Sequence, residues 1–140
     1  MVSSLAMTLF RLLGIAILGV ALAVCQSCGQ PSSEGYLASH YEELVKQTTP
    51  LDASNESRTA VTRTDWSESA SWEFDTKQTG PQYREWLTEK VKGDFKLLKS
   101  GDDELFFAKS MNGDTESVTV RFHSSGTNLH VRAEVSIGPD

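Results

Sequence analysis

The chain has 140 residues, room for one ordinary domain. With 39% hydrophobic and 23% charged residues, three Trp and six Phe, its composition is that of a globular protein rather than a disordered one. Its net charge of −6 excludes the basic field of a nucleic-acid binder and would repel an anionic membrane surface unless the chain were anchored there.

Residues 1–28 read as an address. Arg11 precedes Leu12 to Val24, LLGIAILGVALAV, a run of 13 uncharged apolar residues followed by small polar ones. That is the order of a secretory signal, and the run is short of the roughly 20 apolar residues a spanning helix wants. Counting back across Arg11 adds LAMTLF, which keeps an uncleaved anchor as an alternative. Removing residues 1–28 takes away only one charged side chain, Arg11, and leaves −7.

Cys25 and Cys28, the only two cysteines, form a C-x-x-C directly after this apolar run. A redox dithiol of that spacing opens a helix after a strand, and a zinc site needs four ligands; neither context is present. The segment resembles the signal of bacterial lipoproteins, in which an apolar residue and two small ones precede the cysteine that takes a diacylglyceryl group. Leu22-Ala23-Val24-Cys25 matches that box at its first two places, while Cys25-Gln26-Ser27-Cys28 has a suitable small residue, Ser27, before the cut. The resemblance implies lipidation at Cys28, with Cys25 as the alternative. A third course is cleavage after Ala21-Leu22-Ala23 without lipid. Residues 29–34, GQPSSE, read as a flexible tether.

The folded part is expected from residue 35 onward. Leu37, Tyr41, Leu44 and Val45 make one apolar stripe at helical period over 35–48, with Ser33 as the cap and Pro50 ending the helix. His40 falls at the edge of that stripe. Residues 51–69 are polar and read as a linker with one short edge strand around Thr59 to Thr64; the Asn55-Glu56-Ser57 sequon within it reads as chance.

Ala70 to Asp75 alternates as a strand with Ala70, Trp72 and Phe74 on one face. Gly80-Pro81 opens a second helix whose buried stripe is Tyr83, Trp86, Leu87 and Val91, closed by Gly93. Four strands follow, Phe95 to Lys99, Leu105 to Lys109, Ser117 to His123 and Leu129 to Ile137, separated by turns rich in Gly, Asn, Asp and Ser. The fold class expected is α+β: an antiparallel β-meander with one helix packed on a face, β-α-β-β-β-β, and an N-terminal flanking helix. Trp72, Phe74, Trp86, Leu87, Phe122 and Val131 are the expected core.

On the last hairpin the outward parity carries Arg121, His123, His130 and Arg132, with Thr119 and Glu134 nearby. Such a cluster suits an anionic ligand or an acidic strip on an envelope protein. No nucleophile-elbow, zinc-protease, phosphate-loop or dinucleotide motif occurs, and the acidic turns at Asp102-Asp103-Glu104 and Asn112-Gly113-Asp114 do not follow a calcium loop. No catalytic residue, metal or cofactor is expected. The expectation is a non-catalytic binding or structural module of the bacterial cell envelope, exported and lipid-anchored, held to the membrane by its anchor. The alternatives are a small envelope enzyme using the His123/His130 face and a single-pass anchored accessory subunit.

Overall fold

The computed structural model describes residues 35–91 and 93–139, so the segments expected as signal and tether, with both cysteines, lie outside the described residues. The described residues belong to one compact folded unit. Helix α1 spans Tyr36–Thr48 and helix α2 Gly80–Lys90. The strands are β1 Ser54–Arg58, β2 Thr62–Arg63, β3 Glu68–Thr76, β4 Lys96–Ser100, β5 Glu104–Met111, β6 Asp114–Ser125 and β7 Asn128–Pro139. All pairings are antiparallel, in the order β1-β3-β7-β6-β5-β4, with β2 also paired to β3. The fold is α+β with a meander sheet, as its periodicity predicts. Among the described residues no helix is long and apolar enough to cross a membrane.

The alternation in β3, β6 and β7 decides which face is buried. Ala70, Trp72 and Phe74 join Val118, Val120 and Phe122 and the inward residues Leu129 to Ile137 in one cluster, which both helices cover. Helix α1 contributes Leu37, Tyr41, Leu44 and Val45, and α2 contributes Tyr83 and Leu87. Tyr83 is the aromatic hub of this core: Phe74 and Phe122 meet its ring edge-on at 6.0 and 5.7 Å.

Thr48, buried in the last turn of α1, ties three elements together. Its hydroxyl donates to Leu44 O at 2.9 Å and accepts the Trp72 indole N–H at 2.9 Å, while its carbonyl accepts the Tyr83 hydroxyl at 2.7 Å. Burial pushes the Tyr83 phenol up from its ordinary pKa, so it stays a donor.

The start of α1 is capped across space. Gly35 is its N-cap and makes no side-chain cap bond; the Glu68 carboxylate from β3 instead accepts the Leu37 N–H at 2.7 Å. Ser33, the cap expected from the sequence, lies outside the described residues. A Cβ at Gly35 would fall on the Glu68 carboxylate, so glycine is what lets that carboxylate approach.

Three expectations are corrected. Residues 51–69, expected as a linker with one edge strand around Thr59 to Thr64, hold β2 within that span, but also an unexpected strand β1 before it and the start of β3; every residue of β1 and β2 is exposed, so hydrophobic period could not reveal β1. Helix α2 ends at Lys90, with the Val91 N–H on Leu87 O at 2.9 Å, and Gly93 follows at φ 101 instead of closing it directly. Trp86 is only half-buried, stacked on Tyr83 at 5.7 Å, so the fully packed tryptophan is Trp72. The start of α2 carries a Thr79-x-x-Gln82 capping box, with the Gln82 side chain accepting the Thr79 N–H at 2.9 Å.

Two turns set the register of the final strands. Asn112 and Gly113 take φ 44 and 95, the two positive values that a type I′ hairpin needs. Between β6 and β7 only Gly126 and Thr127 intervene, with Gly126 at φ 62. Both turns leave even pairing from end to end of β6 and β7.

Candidate functional site

Because β6 and β7 pair without a bulge, Arg121 lies opposite Arg132 and His123 opposite His130. All four stand on the outer sheet face, away from the helices, and the two imidazoles are 5.2 Å apart between centroids. The parity argument from the sequence thus brings its four residues together.

The neighbouring strands add three carboxylates that the hairpin alone does not reveal. Glu73 and Asp75 on β3 face Arg132 and His130, and Glu104 on β5 faces Arg121. His130 Nδ1 is 2.8 Å from Asp75 Oδ1, and its Nε2 is 3.8 Å from Glu73 Oε2. Glu104 receives Lys99 and Arg121, each at 2.7 Å. Among the described residues Arg132 makes no ion pair. The result is a mixed-charge row, Glu73-Arg132-Arg121-Glu104, with one uncommitted guanidinium near its middle.

Two of these carboxylates, Asp75 and Glu104, are held ionised by their contacts. The Asn55 amide at 2.8 Å and then His130 bring Asp75 below the usual carboxylate range, against a smaller opposing effect of burial. Lys99 and then Arg121 do the same for Glu104. A general base needs a free nitrogen on a proton to be moved. Both nitrogens of His130 instead face carboxylates, so this histidine bridges charges.

A second polar constellation sits inside the helix-covered face, and sequence reasoning missed it. Glu116 has no solvent exposure, yet it shares the inward parity of Val118 and Val120. His40 Nε2 lies 2.6 Å from one of its oxygens and Lys109 Nζ 2.7 Å from the other. His40 Nδ1 meets Tyr36 O at 2.7 Å, so both ring nitrogens face acceptors. The Lys109 ammonium also lies 4.6 Å from the centre of the Phe95 ring. Burial pulls the Lys109 pKa down, but its bond to Glu116 and the charge there outweigh that, and the net shift is upward. His40, expected as an edge residue, is therefore a strut between α1 and the sheet. The signal that could have found it is Glu116 itself, an acidic residue on a core-facing parity.

Among the described residues no group of three His, Cys, Asp or Glu is placed to hold a metal ion. Comparison with protein-family models found no match, and comparison with curated proteins found none. Among solved structures the chain is similar to CalU16 from Micromonospora echinospora, at 12% identity and a TM-score of 0.46, covering 59% of this chain and 69% of that one.

Proposed function

We propose that this is an exported protein of the bacterial cell envelope, lipid-anchored at Cys28 with Cys25 as the alternative, that presents its folded unit as a non-catalytic binding module. The apolar run, the lipobox-like cysteines and the polar tether support export and anchoring, and the folded unit takes up where they end. The observation that carries the binding role is the opposition of Arg121 to Arg132 and of His123 to His130 on the face that neither helix covers. Arg132 and His123 are its contact groups, because Arg121 is engaged by Glu104 and His130 by Asp75. A planar guanidinium suits the carboxylate or phosphate of an anionic ligand or an acidic partner strip.

The flanking carboxylates select against dense polyanions, since each lies beside a cation the ligand would use. Titration with inorganic phosphate and with a carboxylated oligosaccharide, beside Arg132→Ala and Arg121→Ala, tests the reading. The oligosaccharide or phosphate should bind the wild type and be lost in Arg132→Ala, with a smaller effect from Arg121→Ala. Equal binding by both variants and the wild type would remove this face from the account.

A further inference from the structure

The turn between β2 and β3 is built to hold a tryptophan in the open. The Thr64 N–H donates to Ser67 O at 2.8 Å, and the Thr64 hydroxyl accepts the N–H groups of Trp66 and Ser67 at 3.3 and 3.0 Å. Trp66 is left 80% exposed, and Tyr36, the first residue of α1, is 51% exposed. Both line one recess of about 230 Å³, with Arg63, Glu68 and Asp114. The Trp66 indole serves no core, and the Tyr36 ring, which rests on His40 at 4.3 Å, turns its other half to solvent beside it.

The chain enters the folded unit at Gly35, which lies against the Glu68 carboxylate and so beside the recess. Six residues separate Cys28 from Gly35, so the seven steps between them span at most about 25 Å of extended chain. An anchor at Cys28 therefore keeps this end of the domain within reach of the bilayer surface. Rings with an apolar body and one polar tip are the side chains that settle at headgroup level.

We propose that, in the anchored protein, Trp66 and Tyr36 form an aromatic foot resting in the headgroup layer of the bilayer that holds the lipid. This rests on the lipid-anchored reading above and adds an orientation to it. Strand β6 starts at this end with Asp114, and His123 is nine residues further along, roughly 30 Å away at strand rise. The Arg132/His123 face is then presented toward the far side of the domain, away from the membrane. Exposed Asp65 and Asp114 border the foot, while its two neighbouring cations are already paired, Arg63 with Glu68 at 3.4 Å and Lys109 with Glu116 at 2.7 Å, so zwitterionic lipid suits it better than anionic lipid.

The test uses the full chain, its lipid verified by intact mass, reconstituted in phosphatidylcholine vesicles whose acyl chains carry bromine close to the headgroup. Tryptophan emission should be quenched in the wild type, and the quenched component should vanish in Trp66→Phe, whose fold circular dichroism checks. Admixing phosphatidylglycerol should reduce the quenching. A lipidated chain showing no quenching, or equal quenching in Trp66→Phe, overturns the foot while leaving the anchor standing. A chain without lipid mass overturns both.

Discussion

His40 Nε2 lies 2.6 Å from Oε1 of Glu116, a carboxylate with no exposure to solvent. The partner that neutralises it is Lys109, 2.7 Å from the other oxygen. Removing one member of a buried ion pair leaves an uncompensated charge, which costs about 3–5 kcal/mol, whereas replacing both with apolar groups is often neutral. Lys109→Met should therefore lower stability by that amount in chemical denaturation, and Glu116→Leu in the same chain should restore much of it. Additive losses would mean the two are not energetically coupled.

Trp72 and Trp86 should separate cleanly. Trp72 is buried and its indole N–H is spent on Thr48, so Trp72→Ala should cost about 3–5 kcal/mol. Half-buried Trp86 has one neighbour ring, Tyr83, and Trp86→Ala should cost distinctly less. Urea midpoints of the two variants decide the order.

Gly35 and Glu68 should behave as a coupled pair. Gly35→Ala places a methyl on the carboxylate that caps α1, and should lose about 0.5–2 kcal/mol, the worth of a helix cap. In a Glu68→Ala background the same substitution should cost close to nothing. A double-mutant cycle with no coupling term would reject the cross-strand cap.

Acid should loosen the β1 and β3 side of the sheet. Asp52 is held below the ordinary carboxylate range chiefly by the Lys77 N–H at 2.9 Å, and Asp75 by Asn55 and His130. Folded-state values below the unfolded ones mean that this stabilisation is complete above the ordinary aspartate value and is lost as pH falls through the depressed one. Asp52→Asn and Asp75→Asn should each flatten the acid limb of the stability profile below about pH 4. A limb unchanged in both variants would contradict the assignment.

How much of this was legible in the sequence depends on whether a residue's neighbours are close along the chain. The α1 stripe of Leu37, Tyr41, Leu44 and Val45 is buried throughout, and the alternation from Leu129 to Ile137 reads directly as the core side of β7. β1 was not legible, and β2 only as an edge strand loosely placed around Thr59 to Thr64, since both are held by pairing to β3 and none of their side chains is buried. In the candidate site, the opposition of Arg121 to Arg132 follows from parity and a short turn. The carboxylates Glu73, Asp75 and Glu104 depend on strand order, which periodicity does not carry. His40 and Glu116 stand 76 residues apart, and only the odd acidic residue among inward valines marks their meeting.

The central claim, an exported and lipid-anchored module, is tested most directly by the intact mass of the protein recovered from its native host. The account predicts a mature chain that begins at Cys28, or at Cys25, and carries the mass of a diacylglyceryl group. A chain that still begins at Met1, or one that begins at Val24 with no added lipid, would contradict it.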